Sequence, residues 1–369
     1  MTLEINKSLE QYLALKRSQF YFKADVQLEN TLLAGLKQQR QALRPFFIAD
    51  VQALCQAFFK KKMKEVIPLS SGGTFHLLYR VTDQHDKQYV VRLNLPEFGW
   101  IAYEFLIDQW IYEVLRKKKL PTLKVHAVDL SRAQFPFDYE IIDCAVGQQL
   151  SLLQDPETQY LPPSILESLG QFLAALHSVR VSGFGPFDIS SLGTSVHHKV
   201  QGVHNAWRDY IFCNLDEHVA FCLNIGAIEA LQAERIIKLF HHLSPLLTID
   251  KPVLLHGDLG NHNIFSDGKK VTALIDWEDC MAGDPYFDIA YWGTFYRDHY
   301  RGQLLEGYCQ KNLLADDFEI RYWLYYLRIS LSKTVHRYRF GYQDSPGRPP
   351  ASSRIGRALD NFTQHGVCI

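Results

Sequence analysis

Asp258, Asn263 and Asp276, two carboxylates and an amide, fall close together in the stretch HGDLGNHN at residues 256–263 and the VTALID that follows it. Val253, Leu254 and Leu255 form a short apolar run ending at His256, Gly257 and Asp258, the pattern of a buried strand entering a functional loop. Residues 271–275 make a second apolar run that delivers Asp276 to a loop start in the same way. Two strand ends are therefore expected to present the three side chains together. Phosphoryl transfer from ATP needs such a set: a carboxylate that positions the attacking hydroxyl and accepts its proton, and oxygen ligands that hold Mg²⁺ against the phosphates. The plainer reading makes Asp258 and Asp276 turn or cap residues, where Asp is common.

HGDxxxxN, followed by IDWE and then by GDPxxD at residues 283–288, resembles the aminoglycoside phosphotransferase and choline kinase group, which has a protein-kinase-like fold. The resemblance covers about residues 66–345. It implies Asp258 as catalytic base, Asn263 and Asp276 as metal ligands, and His256 and Asp288 as supports, with Asp288 bracing the catalytic loop from below. The letters GDLGNHN are also similar to metallophosphoesterase motifs, with Asp83 and His85 as an upstream Asp-x-His. In that fold each motif ends a separate strand, whereas here Gly257, Asp258, Asn261 and His262 share one short loop.

The chain has 369 residues, 47% hydrophobic and 21% charged, enough for a substantial core and more naturally two lobes than one. A formal charge of -1 gives no global reason to bind nucleic acid or an anionic membrane, which leaves a small molecule as the expected partner. Seven cysteines without a Cys-x-x-Cys spacing suggest reduced thiols. No signal-peptide pattern and no run long enough to cross a bilayer occur, so a soluble cytoplasmic protein is expected.

Residues 66–94 alternate apolar and polar around Ser70, Ser71, Gly72 and Gly73, the signature of a hairpin-rich sheet. Glycines there let backbone N–H groups approach phosphate oxygens, so Ser71, Gly72, Gly73 and Thr74 are candidates for a loop over ATP; an ordinary hairpin turn is the competing reading. Arg92, on the next strand, stands where kinases carry lysine and keeps a charge and a fork suited to phosphate. Residues 101–118 predict a helix whose Glu104 or Asp108 would orient Arg92, with Glu104 preferred. Residues 137–143 predict a strand leading to a hinge, with an adenine edge meeting the backbone near Glu140 and Ile142.

Beyond Gly147 the text predicts a helical lobe. Ser164 would cap a helix, residues 183–194 would form a loop, and helical patterns at residues 207–246 would shape the acceptor site. Trp207, Asp209 and Glu278 are candidates for an acidic, aromatic-walled pocket. The basic residues of 318–340, Arg328 and Lys333 among them, read as a solvated face or an anionic-substrate contact, which leaves the acceptor open.

The expected fold is α+β and bilobal, with a helical extension at residues 1–46, a nucleotide-binding lobe and hinge at 47–143, and a helical lobe at 144–369. ATP and Mg²⁺ would serve transfer to a small-molecule hydroxyl, such as that of an amino sugar or amino alcohol. A catalytically silent nucleotide-binding scaffold is the alternative. A protein kinase is disfavoured by His-Gly-Asp in place of His-Arg-Asp and by the missing Asp-Phe-Gly. The oligomeric state is not readable.

Overall fold

The computed structural model describes residues 2–25, 38–39, 42–69, 76–95, 102–154, 160–190, 192, 200–296, 298–341 and 350–367. The candidate phosphate loop, Ser71, Gly72, Gly73 and Thr74, lies outside them. Sheet and helix divide into two units, Met1–Tyr12 with Leu28–Val146 and Leu13–Gln27 with Gly147–Ile369. Helices α1 (Thr2–Arg17) and α2 (Phe22–Asp25) come first along the chain.

In the first unit, α3 (Ile48–Phe59) precedes strands β1 (Met63–Pro68), β2 (Leu77–Asp83) and β3 (Gln88–Asn94); α4 (Glu104–Lys117), β4 (Val125–Asp129) and β5 (Asp138–Asp143) follow. The strands form an antiparallel sheet in the order β1-β2-β3-β5-β4. Period-two alternation sorts its faces. Leu77, Tyr79, Val81, Val91, Leu93 and Ile141 form one core with Val51, Leu54 and Cys55 of α3. Arg92 and Glu140, cross-strand partners, alternate with this set and meet Asp108 of α4. Charges at such buried positions persist because they are paired.

The second unit carries two small sheets. β6 (Gln148–Gln149), β10 (Ile264–Ser266) and β11 (Val271–Leu274) pair in the order β11-β10-β6. β7 (Phe184–Asp188), β8 (Gln201–His204), β9 (Val253–Leu255) and β12 (Met281–Gly283) pair as β8-β7-β12-β9. The loop expected at residues 183–194 is thus corrected, since its first part is β7. Gly185 and Pro186 give that strand little propensity of its own, but Ala282 and Met281 pair with them from far along the chain.

Helices α5 (Pro163–Leu176), α6 (Trp207–Phe212), α7 (Leu215–Asn224), α8 (Ala230–His242), α9 (Tyr286–Gly293), α10 (Asp298–Cys309), α11 (Phe318–Arg339) and α12 (Ala351–Gln364) complete this unit. Pro163 takes the first turn of α5 with Pro162 at the cap, so Ser164 lies inside the helix and does not cap it. α5 crosses α10 closely: a Cβ on Gly170 would sit 2.0 Å from the Leu304 carbonyl oxygen. α11 is buried from Tyr322 through Val335, and Arg328 and Lys333 are inside, which corrects the solvated-face reading for these two, while His336, Arg337 and Arg339 at its end are half-buried. Arg328 donates through Nε to the Ile211 carbonyl at 2.7 Å and through Nη2 to the Cys213 carbonyl at 2.5 Å. Burial, the largest influence on it, brings that guanidinium down to about 10.

Residues 13–25, expected within a separate extension, are built into this unit. Tyr210 Oη donates to the Phe20 carbonyl at 2.7 Å, and the Arg328 guanidinium lies 3.6 Å from the Phe20 ring centroid. The Asp25 carboxylate accepts the N–H groups of Phe20 and Tyr21, both at 2.8 Å, and pairs with His218. Among the described residues, no helix is long and apolar enough to cross a membrane.

Candidate active site

The end of β9 becomes the 256–263 loop because Asp288 takes its first two amides. The fully buried Asp288 carboxylate accepts His256 N–H at 2.8 Å on Oδ2 and Gly257 N–H at 2.9 Å on Oδ1, and His177 Nε2 approaches Oδ2 at 3.2 Å. Burial pushes this carboxyl up, but the His177 hydrogen bond and the Gly257 amide are among the interactions that outweigh it and hold the group below the usual carboxylate range. His256 Nε2 donates to the Ile275 carbonyl at 3.0 Å and Nδ1 accepts Asp258 N–H at 3.3 Å, which assigns the ring proton to Nε2. Burial keeps this imidazole below its ordinary value, hence neutral.

Gly257 turns the chain at φ 80°, and a Cβ there would lie 2.0 Å from the Asp279 carbonyl oxygen. Only glycine fits so close an approach of two backbones. The turn sends Asp258 into a buried setting with its carboxylate oriented from several sides. Tyr291 Oη of α9 donates to Asp258 Oδ1, and Lys333 Nζ of α11 stands 3.4 Å from the same oxygen. The ammonium lies 4.3 Å from the Tyr21 ring centroid and 4.6 Å from that of Tyr291, so it is held by aromatic faces as well as by the carboxylate. Burial first, then the charge of Asp258, keeps the Tyr291 phenol well above its ordinary value, so it stays a donor.

Asn263 Nδ2 donates to the Asp258 carbonyl at 3.0 Å and reaches its Oδ2 at 3.5 Å, which points Asn263 Oδ1 the other way. Ile275 N–H donates to the Asn263 carbonyl at 2.9 Å, tying the loop to the residue before Asp276. Asp276 itself has φ 66°, in the left-handed region that a non-glycine residue enters only under constraint, between β11 and the turn Trp277–Asp279. Trp277 braces that turn from below, its Nε1 donating to the Leu274 carbonyl at 3.1 Å and its ring 4.5 Å from that of His256. The structure thus joins Asp258 to Asn263 directly, and to Asp276 through Ile275. An amide oxygen and a carboxylate are hard donors of the kind Mg²⁺ takes.

In the first unit, Arg92 Nη1 donates to Asp108, and Glu140 Oε2 lies 3.3 Å away. Of the two helix acids it is Asp108, one turn beyond the preferred Glu104, that takes Arg92; Glu104 Oε2 lies 3.4 Å from His76 Nε2. Burial, then the Asp108 charge, raises Glu140 well above the usual carboxylate range. The expected adenine contact at Glu140 and Ile142 is corrected by the sheet. β3 and β4 flank β5 on both edges across these residues, and the ladder claims its backbone groups.

The candidate acceptor residues do not form the expected aromatic-walled pocket. Trp207 is fully buried, its Nε1 donating to Tyr325 Oη at 3.0 Å and its ring against Phe287, so it is core and not a pocket wall. Asp209 is exposed on α6, and the Glu278 carbonyl accepts Lys16 Nζ at 3.2 Å. Three contributors went unread in the sequence, Lys16, Tyr291 and Asp284, and Lys333 was read only as part of a basic face or an anionic-substrate contact. Asp284, whose Oδ2 takes Arg321 at 2.7 Å and Tyr325 Oη at 2.6 Å, fixes the start of α9; the GDPxxD spacing was the available signal for it.

A sequence model of the phosphotransferase enzyme family matches residues 65–324. The chain is similar to hygromycin-B 4-O-kinase of Escherichia coli, 28% identical over 216 residues, and the match spans 56% of this chain and only 56% of that relative's length. Among solved structures it resembles a thermostable mutant of aminoglycoside phosphotransferase APH(4)-Ia in ternary complex with AMP-PNP and hygromycin B, with TM-score 0.58 and 21% identity over 84% of this chain and 98% of that one. It also resembles spectinomycin phosphotransferase APH(9)-Ia in complex with ADP and spectinomycin, with TM-score 0.53 and 14% identity over 84% and 93%. These likenesses are of fold. With its catalytic-loop motif inside the matched residues and its sheet and helices arranged as in those structures, the chain belongs to the phosphotransferase enzyme family.

Proposed function

We propose that the chain transfers the γ-phosphoryl group of ATP to a hydroxyl of a small molecule in the range of amino sugars, amino alcohols and similar metabolites. The observation that carries this reading is the Asp258 carboxylate, buried at a loop turn and oriented by Tyr291, Lys333 and Asn263. The acceptor oxygen forms a bond to Pγ, the bond from Pγ to the bridging oxygen breaks, and its electron pair leaves with ADP. Asp258 orients the hydroxyl and takes its proton. Lys333 pairs with the carboxylate, and Tyr291 fixes its rotamer. Asn263 and Asp276 would hold Mg²⁺, which when bound offsets the charge of the phosphates. Arg92, set by Asp108, would contact phosphate oxygens. The described cysteines are all thiols, which suits a reducing, cytoplasmic setting.

Substituting Asp258→Asn keeps the shape and removes the base. Turnover with an acceptor found by screening amino sugars, choline-like alcohols and sugars against labelled ATP should fall by a factor of about 100 or more. Nucleotide affinity should stay within about threefold by calorimetry, since this change is worth under 1 kcal/mol in binding. Wild-type turnover in Asp258→Asn overturns the assignment.

A further inference from the structure

A pocket in the second unit opens beside Gly257 of the catalytic loop; Lys16, Gln19, Asp279 and Tyr291 are among its polar lining, and the rest is largely aromatic and apolar. It is a narrow pocket next to the proposed base, because Gly257 immediately precedes Asp258 and Tyr291 donates to the Asp258 carboxylate, so an acceptor reaching Asp258 would pass its mouth. Its charge is arranged in an unusual way for a site that would hold amines. Lys16 Nζ stands 3.7 Å from Asp279 Oδ1 and donates to the Glu278 carbonyl at 3.2 Å, so an ammonium of the chain already occupies the position that a ligand ammonium would seek. Lys333 does the same at Asp258. Both side chains are about nine-tenths buried, where a charge pair is weakly screened.

Gln19 adds a second, independent observation. It is 8% exposed, and among the described residues its Oε1 has no hydrogen-bond partner although the atom is buried. A buried amide oxygen left so is costly unless something donates to it, and Gln19 lines the pocket, so a turn of its side chain that opens the oxygen to the pocket would let a ligand hydroxyl do so.

We propose that Lys16 and Gln19 are specificity-determining residues of the acceptor site, selecting a hydroxyl-rich acceptor with at most one ammonium over a polycationic amino sugar. This rests on reading Asp258 as the base of a small-molecule kinase. Lys16 excludes clustered ammonium groups by holding the acidic position, and Gln19 Oε1 accepts from an acceptor hydroxyl.

The test uses the full chain. Binding of kanamycin, as the polycation, is measured by calorimetry without nucleotide for wild type, Lys16→Met, Lys16→Gln and Lys16→Arg. Close charge pairs of this kind are worth about tenfold or more in affinity, so Met and Gln should tighten kanamycin binding by about that factor while Arg keeps the wild-type weakness. Tight wild-type binding that neither neutral variant improves overturns the proposal. In parallel, phosphoryl transfer to trehalose, glucosamine and kanamycin is followed. Gln19→Leu should raise KM for the best acceptor of low charge by about tenfold with kcat nearly kept, the effect of an unmet buried polar group. Kanamycin as the preferred wild-type acceptor, or an unmoved KM in Gln19→Leu, refutes it. Should no acceptor turn over while the Lys16 variants still tighten kanamycin binding, the kinase reading fails and the role of Lys16 stands.

Discussion

Replacing Asp288 isolates how the catalytic loop is held. Its carboxylate is the acceptor for two buried main-chain N–H groups, at 2.8 and 2.9 Å, and for His177 at 3.2 Å. Asp288→Ala leaves both amides unmet, and each buried donor without a partner costs about 1–3 kcal/mol, so the loss is about 2–6 kcal/mol. That is a large part of a typical folding stability of about 5–15 kcal/mol. Asp288→Asn keeps one acceptor oxygen and turns an N–H₂ toward the other amide, for about half the loss. Urea unfolding followed by tryptophan fluorescence should place the Ala variant lowest, Asn between, and wild type highest. Activity should fall about 100-fold even where the protein stays folded, because Asp258 follows directly and a displacement near 1 Å has that effect. His177→Phe should destabilise the wild type yet add little on top of Asp288→Ala, as coupled neighbours do. Equal unfolding midpoints for wild type and Asp288→Ala, or additive losses in the cycle, refute the reasoning.

Gly257→Ala should cost about 2–5 kcal/mol, from a left-handed residue that gains a Cβ and from overpacking against Asp279, and thermal unfolding checks it. Asp276→Ala should weaken Mg²⁺-dependent ATP binding by removing a charged oxygen donor, and calorimetry with and without Mg²⁺ will show no difference from wild type if the residue is not a ligand. His256, His204 and His218 all lie below the ordinary histidine value, chiefly through burial. Below a pH of about 6.5 the unfolded chain therefore takes up protons that the native one refuses, and stability should fall on acidification from there down to the folded values. A urea midpoint that rises between pH 7 and 5.5 contradicts this.

The catalytic loop was legible because its parts are local: the apolar run at Val253, the glycine at 257 and the acid at 258 act within a few residues of one another. What pairs across the fold was not. Glu104 and Asp108 sit one turn apart on the same buried face, and only the phase of α4 against β3 chooses between them. Glu140 and Ile142 looked available until β4 returned to cover the far edge of β5. A basic run on α11 reads as a wet surface, yet the helix is enclosed around most of its length, so Lys333 reaches Asp258 across 75 residues. Lys16 is 262 residues from the carbonyl it holds, beyond any local pattern.

The interleaving of the two units bears on how the polypeptide is made. Asp25 and its neighbours leave the ribosome well before α11, but Arg339 donates to the Ala24 carbonyl from 315 residues downstream and Arg328 covers Phe20 only when α11 exists. The intervening sheet can assemble while those early residues wait, and the cost of closing so long a loop grows only slowly with its length. Completion of the Asp258 surroundings is accordingly a late event of biosynthesis, and a nascent chain halted before α11 would carry a finished sheet and an unfinished reaction centre.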